Sequence, residues 1–224
     1  MQTGIDPLAR TPPEMAEAIA SGVQAGARRY RGAIMRYLLR PPLSLRAKYA
    51  AFLVDLVRQS DHMQTVLRRA AERLSGPLSD ALRLHQREER QRMQLALSDL
   101  SRLGHHPDDW PQRGFSAGDT ALRAYCTTLS YERPVAMLGV LLTMIGLGAE
   151  ISPSIVRLLG VGAIPREAMR WLLLRESSDP AAFRTLSATV AEHVQDPEEQ
   201  TAVLEAVEVS GELLALGAAS RPSL

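Results

Sequence analysis

The chain has 224 residues, of which 46% are hydrophobic and 23% charged, values typical of a globular protein. Its 26 basic and 25 acidic residues give a formal net charge of +1, which argues against a general nucleic-acid or membrane-surface partner. The single cysteine, Cys126, excludes an internal disulfide framework and is expected to be a small core residue in a reducing cytoplasm.

The N-terminal part of the chain predicts a tail followed by a helix. Residues 1–10 contain no apolar core, so we expect a loose tail rather than a secretory signal. Thr11 precedes two prolines and an acid, which predicts the start of a helix over 11–39. The second half of this helix is locally basic, which indicates a solvated face or a site for an anionic ligand or partner.

The second predicted helix has a long apolar face. Two consecutive prolines break the chain before it, and Ser44 is expected to be its N-cap. Gly76 and Pro77 are expected to end it, and His62 falls on the solvent side. Its apolar residues recur at helical spacing: Tyr49, Phe52, Leu56, Met63, Leu67, Ala70 and Leu74.

The stretch 82–104 predicts a central amphipathic helix. Continuing its apolar stripe through one gap places His85 and Glu89 on the core side. A buried carboxylate is costly unless it is paired, protonated or bound to a cation. Two interpretations stay open: a pairing of these residues with each other or with an arginine, or a metal or substrate site inside a bundle. The apolar stripe comprises Leu82, Met93, Ala96, Leu100 and Leu103.

Charged residues flank this stripe and are expected at the surface. Glu88 and Arg92, acid first and four apart, have the arrangement of an exposed helix ion pair, worth about 0.2–0.5 kcal/mol. Asp99 and Arg102 are expected to flank the stripe in the same way. Gly104 is expected to end the helix.

A helix, an apolar segment and a loop come next. The helix is predicted over 119–133, with Ser116 or Asp119 as its cap. The apolar segment 135–149 is shorter than the ~20 residues of a bilayer span, so we predict a buried central helix whose glycines permit close approach of a helix or ligand. Four loop residues are expected to be exposed, with a metal site as the alternative: His105, His106, Asp108 and Asp109.

Proline-containing signals divide the end of the chain. Short helices are predicted over 152–160 and 165–175. The Asp-Pro pairs at 179–180 and 196–197 each predict a helix start, with Asp as the cap and Pro in the first turn. His193 continues the apolar stripe of the first of these helices, so it is also expected to face inward.

These elements predict an all-α protein with a single domain over 11–224. Few β-branched runs occur, so no strand is expected. The apolar face of the final helix leaves a homodimer or a partner protein as an alternative to burial in the core.

Short matches recur in the order of one known family: His85, Glu88, Glu89, Asp99-Leu100, Leu103-Gly104, Tyr125, Tyr131, Pro134, Leu138-Gly139, His193 and Asp196. Over about 35–215 this order resembles the haem-oxygenase-like iron-containing redox enzymes, which include non-haem diiron oxidases and oxygenases of natural-product pathways. The resemblance implies a haem-oxygenase-like bundle of about seven to nine helices around a pocket, with iron held by carboxylates and histidines from facing helices.

Carried over to this chain, the resemblance implies Glu89, His193 and His85 as iron ligands. His85 and Arg92 are the candidate catalytic residues. Arg92 stands where the family has a ligand histidine, so the alternative is a fixed cation that pairs with Glu89 or holds a carboxylate.

Two functions follow from the resemblance. One is a divergent oxidoreductase that acts on a small molecule in natural-product biosynthesis. Its iron site would have fewer protein ligands than the family has, or no metal at all. The other is a catalytically silent relative that binds a small ligand or a partner protein. In both cases we expect a cytoplasmic protein without a nucleic-acid or membrane partner.

Overall fold

The computed structural model describes residues 9–41, 43–106 and 114–221, which form seven α-helices and no strand. The prediction of an all-α protein with about seven to nine helices is therefore confirmed. Most of the predicted tail, together with Asp108 and Asp109, lies outside the described residues. The helices are α1 (Pro12–Leu39), α2 (Leu45–Arg73), α3 (Gly76–Arg102), α4 (Ala117–Glu132), α5 (Met137–Val161), α6 (Arg170–His193) and α7 (Pro197–Ala219).

Polar caps begin four of these helices where the sequence predicts them. The Thr11 backbone N–H donates to Glu14 at 2.8 Å, which satisfies a free donor at the start of α1. Ser44 accepts from the N–H of Ala47 at the start of α2. Ser116 accepts from the N–H of Asp119 at the start of α4. Asp196 caps α7, because its carboxylate accepts the N–H groups of Glu198 and Glu199 at 2.8 and 3.0 Å.

Two predicted helix starts are wrong, because Pro153 lies inside α5 and Pro180 lies inside α6. A proline inside a helix removes one backbone hydrogen bond, a loss that tertiary packing offsets here over two helices of 25 and 24 residues. Asp179 does not cap a helix, since it is fully buried within α6. The helix predicted over 82–104 also begins earlier than expected, since Gly76, with φ of +57°, is already the first residue of α3.

The apolar core is divided into two halves along the bundle. One half contains Leu82 of α3 and Leu186 of α6, and the other contains Leu100 of α3 and Leu172 of α6. Polar side chains from three helices lie between these halves. We call the following residues the charged layer: Ser60 of α2; His85, Glu88, Glu89 and Arg92 of α3; Arg175 and Asp179 of α6.

The apolar segment forms the central helix of the bundle, as predicted, but it is longer than the sequence pattern indicates. Together with the 3-10 turn before it, α5 spans Pro134–Val161 and is long and apolar enough to cross a membrane. Within the protein, however, 83% of its most apolar window is buried, which is typical of a core helix. Gly139 faces the Val203 carbonyl of α7 so closely that a Cβ atom would overlap it, so this glycine serves close helix packing.

Cys126 and His62 are both shielded from solvent, Cys126 completely and His62 in part. Cys126 is fully buried, as expected, and burial raises the pKa of its thiol to about 12. His62 was expected at the surface, but it is half-buried with Nε2 3.1 Å from the Arg123 carbonyl oxygen. Burial lowers the pKa of His62, and the charge of Arg123 acts in the same direction.

Asp99 supplies the cap of another helix, contrary to the prediction that it lies at the surface. It is fully buried, and Oδ2 accepts the backbone N–H of Trp171 at 2.8 Å. This contact satisfies a free donor in the first turn of α6, whose own preceding residue, Met169, has no capping side chain. Burial raises the pKa of Asp99, while backbone donors from Trp171 and Arg170 oppose that effect.

We expect Asp99→Ala to lower the free energy of unfolding by about 1–3 kcal/mol, because it leaves a buried N–H group of α6 without an acceptor. Urea denaturation measures the change. The control is Asp61→Ala, which removes an exposed carboxylate from α2. An equal effect of both substitutions would contradict the capping role of Asp99.

Candidate functional site

The inner face of α3 presents polar groups at the mid-height of the bundle. His85 is buried with 5% of its surface exposed, which agrees with its predicted inward position. Arg92 is buried to a similar degree, at 7%, so its predicted place in a surface ion pair is wrong. The long guanidinium side chain takes the core position that sequence periodicity assigned to Met93, which is only half-buried.

The polar groups of α3 form a chain of contacts. His85 Nδ1 lies 2.9 Å from Glu88 Oε2, although its alignment is poor for a hydrogen bond. Arg92 Nη2 lies 3.5 Å from the same Glu88 oxygen. The contact with His85 lowers the pKa of Glu88, and the charge of Arg92 contributes in the same direction. His85 therefore pairs with Glu88 rather than with Glu89, the partner that the sequence suggested.

Asp179 joins α6 to α3 through Arg92 and also holds Arg175 of its own helix. Arg92 Nη2 donates to Asp179 Oδ1 at 3.2 Å, and Arg175 Nε donates to Asp179 Oδ2 at 2.6 Å. Arg175 Nη2 also donates to the Met144 carbonyl oxygen of α5. A buried charge of this kind is tolerated only when it is paired and hydrogen-bonded, and each oxygen of Asp179 has its own donor.

Gly148 lets α5 lie directly against this ion pair. A Cβ atom at residue 148 would overlap both Asp179 Oδ2 and the guanidinium of Arg175. The sequence predicts that a helix or a ligand lies close to this glycine. In the structure, the charged side chains of α6 lie there. Any larger residue would displace the pair that links α3, α5 and α6.

Glu89 lies beside the two arginines and is half-buried. Burial raises the pKa of Glu89, and the positive charges of Arg92 and Arg175 oppose this effect. A hydrogen bond with Ser60 also opposes it, whereas the negative charge of Asp179 raises the pKa further. The charged layer thus surrounds Glu89 with fixed cations and with a hydroxyl group.

His193 lies away from the charged layer. It is the last residue of α6, 37% of its side chain is exposed, and Nε2 is 4.0 Å from Glu192. The prediction that His193 faces inward is therefore wrong. At ~1.5 Å per helical residue, it lies about 20 Å along α6 from Asp179, so the structure does not bring it to Glu89.

The implied iron ligands do not fit a metal centre in this arrangement. Such a centre needs at least three protein ligands around open positions. Across the described residues, no group of three or more His, Cys, Asp and Glu side chains is placed to hold a metal ion. Arg92 and Arg175 carry permanent positive charge beside Glu89 and have no lone pair to donate to a metal.

A central cavity of about 90 Å³ lies next to the charged layer. Its walls are mainly apolar, with Phe52, Leu147 and Trp171 among them. Arg175 belongs to both the charged layer and the cavity wall. The polar groups that line the cavity come from five helices and from the segment after α7: Tyr30, Gln59, Asp119, Ser152, Arg175 and Arg221.

Three charged residues line this cavity together with Tyr30. Burial raises the pKa of Tyr30. The positive charges of Arg221 and Arg175 oppose this effect, whereas the negative charge of Asp119 raises the pKa further. Asp119 already accepts a hydrogen bond from the Ser116 hydroxyl at 2.7 Å. Sequence reasoning missed this constellation, since its members are far apart along the chain and none lies in a recognisable motif.

The structure is similar to the crystal structure of a domain of unknown function with a haem-oxygenase-like fold from Shewanella denitrificans. The TM-score is 0.74 at 18% sequence identity, and the match covers 90% of this chain and 88% of that chain. No protein-family model and no curated protein matches the sequence. Likeness at this identity concerns the fold and not the activity. The chain has a haem-oxygenase-like fold.

Proposed function

We propose that this protein binds a small, largely apolar molecule with an acidic group in its central cavity, without iron in the charged layer. The observation that carries this proposal is the position of Arg175, which lines an apolar cavity and is fixed by contacts outside it. Ligand sites in proteins commonly combine apolar walls with a few fixed polar groups.

Arg175 is positioned before any ligand arrives. Asp179 holds its Nε, and the Met144 carbonyl holds one terminal nitrogen. A guanidinium has five N–H donors, so donors remain for an acceptor in the cavity. Because the side chain is already ordered, binding loses little side-chain entropy. Arg92 acts through Asp179 in this scheme, so it is a positioning residue rather than a catalytic one.

The cavity volume limits the ligand to a few heavy atoms. An engineered cavity of ~150 Å³ in another protein holds benzene, and the cavity here has about 90 Å³. A short-chain carboxylic acid matches this volume and the guanidinium. Tyr30 and Gln59 add further groups that can donate hydrogen bonds to a carboxylate.

The oxidoreductase hypothesis has less support. His85 is held by Glu88 and lines a separate groove between α3 and α6 rather than the central cavity. The arginines beside Glu89 oppose the approach of a cation. A role in biosynthesis, a homodimer or a partner protein, and a cytoplasmic location stay predictions from the sequence.

We expect butanoate to bind the central cavity more tightly than butanamide, and butylamine not to bind, because the fixed donors favour a charged acceptor. The Kd should be about a millimolar, since six heavy atoms offer little contact area. Saturation-transfer NMR measures the binding.

The matched variants for this experiment lie on α5. Ile155→Phe adds volume at the cavity wall and should abolish binding. Val161→Phe makes the same addition at a position that is 86% exposed and should leave binding unchanged. Equal binding of all three compounds, or binding that survives Ile155→Phe, would exclude the proposed site.

We expect the protein, expressed with added iron, to contain far less than one iron per chain, because Arg92 and Arg175 oppose a cation near Glu89. Mass spectrometry measures the metal in the wild type and in a Glu89→Ala/His193→Ala variant. Both should contain the same trace amount. About one iron per chain, lost in the variant, would instead support the oxidoreductase hypothesis.

We expect Glu89→Gln to stabilise the protein increasingly as the pH rises above about 4.5, the ordinary pKa of glutamate. Burial raises the pKa of Glu89, so the folded state binds the proton of this carboxyl more tightly than the unfolded state does. The wild type therefore loses stability as the pH rises from the ordinary pKa of glutamate to the raised pKa in the folded state. Urea denaturation from pH 4.5 to 8 measures the difference. Glu17→Gln, on an exposed part of α1, is the control. A variant less stable than the wild type at pH 7 would mean that the ionised Glu89 is a net stabilising partner of the arginines.

A further inference from the structure

A groove of about 320 Å³ lies on the outside of the bundle, where the end of α1, the start of α2 and the end of α7 meet. Four basic residues line it: Arg36, Arg40, Lys48 and Arg221. Among the described residues, no acidic side chain lines it. Its remaining walls are largely apolar, with Ala33, Leu43 and Ala218 among them.

Two of the four cations also stabilise the end of α1. The Lys48 ammonium donates to the carbonyl oxygens of Leu38, at 2.9 Å, and of Arg40. Arg36 Nε donates to the Gly32 carbonyl at 3.1 Å, which uses one of its five N–H donors. Capping of a helix C-terminus therefore accounts for Lys48, and a hydrogen bond within α1 accounts for part of Arg36. It does not account for Arg40 or for Arg221.

Arg221 provides an independent observation, because it is buried between this groove and the central cavity and two of its nitrogens lack a hydrogen bond. Only 9% of its surface is exposed, yet Nε and Nη1 have no hydrogen-bond partner. The carboxylate of Asp55 is 4.0 Å from Nη1, and the guanidinium packs 4.8 Å from the ring centre of Phe52. A buried guanidinium with unused donors is unfavourable unless an acceptor binds to it.

We infer that this groove binds a phosphomonoester, with the phosphate group held by Arg36, Arg40 and Arg221. Guanidinium groups match phosphate oxygens in a bidentate geometry, and a dianion balances several cations where a carboxylate balances one. The apolar walls accommodate the organic part of the molecule. The volume lies within the range of small-molecule sites. The phosphate can belong to a soluble metabolite or to a phospholipid headgroup.

The first experiment is calorimetric titration with phenyl phosphate at low salt, with phenyl sulfate and inorganic phosphate for comparison. We expect phenyl phosphate to bind most tightly, because it carries both the dianion and an apolar group. The affinity should fall as the pH drops below about 6, where a phosphomonoester takes up a proton. Equal affinities for the three compounds would contradict a shaped site.

Two charge-matched variants separate the groove from general electrostatic attraction. Arg36→Gln/Arg40→Gln should weaken binding by about tenfold or more, since it removes two charge-assisted contacts. Arg28→Gln/Arg29→Gln removes the same charge from exposed positions of the same helix and should have little effect. Equal weakening by both variants would contradict the inference.

Arg221→Met tests the buried guanidinium and includes its own folding control. We expect the variant to lose phenyl phosphate affinity and to unfold, without ligand, within a few degrees of the wild type, because the loss of unsatisfied buried donors offsets the loss of the distant contact with Asp55. A variant that keeps full affinity, or that is much less stable, would show that Arg221 serves the structure alone.

Vesicles distinguish the two sources of phosphate. Phosphatidylcholine vesicles with and without phosphatidic acid are tested by co-flotation. Binding to phosphatidic acid without binding to phenyl phosphate would identify a lipid headgroup, and the converse would identify a soluble ligand. Binding to neither would overturn the inference. Because butanoate is tested at the central cavity with other variants, this failure leaves the proposed function untouched.

Discussion

Asp179 is a carboxylate without solvent contact, and its charge organises the centre of the bundle. Removal of such an ion from water is unfavourable by several kcal/mol even after the protein relaxes. Arg92 and Arg175 offset this effect, since each donates to a different oxygen of Asp179. The contact with Arg92 holds α3 and α6 in one register, and Gly148 allows α5 to pack on Arg175 and Asp179.

This arrangement inverts the charge distribution of a metal centre. In metal-binding bundles, side chains from facing helices share one central cation. In this protein the central ion is the anion Asp179, and its cationic partners are arginines from two helices. A divalent metal ion at this position would have to displace two guanidinium groups from a buried carboxylate. The same inversion leaves Arg175 fixed at the wall of the central cavity, where it is available to an acidic ligand.

Helical periodicity and cap signals predicted most of the fold. They located the starts of α1, α2, α4 and α7, the inward position of His85 and the burial of the apolar helix α5. They failed where a polar side chain occupies a core position. Arg92 follows Glu89 by three residues and precedes Ala96 by four, which fits the inner face, but a search for apolar residues selects Met93 instead. Asp99 was assigned to the surface for the same reason.

The ion pairs explain why the candidate site was harder to predict than the fold. Glu88 and Arg92 have the acid-first order that stabilises an isolated helix, and that order predicted a surface pair. Arg175 and Asp179 have the reverse order, which stabilises an isolated helix less, and Asp179 precedes a proline as a cap residue would. The stabilising contacts of Asp179 come from Arg92, 87 residues earlier in the chain, and from burial beside α5. A local sequence pattern contains neither of these facts, so the site depends on tertiary packing that the pattern does not encode.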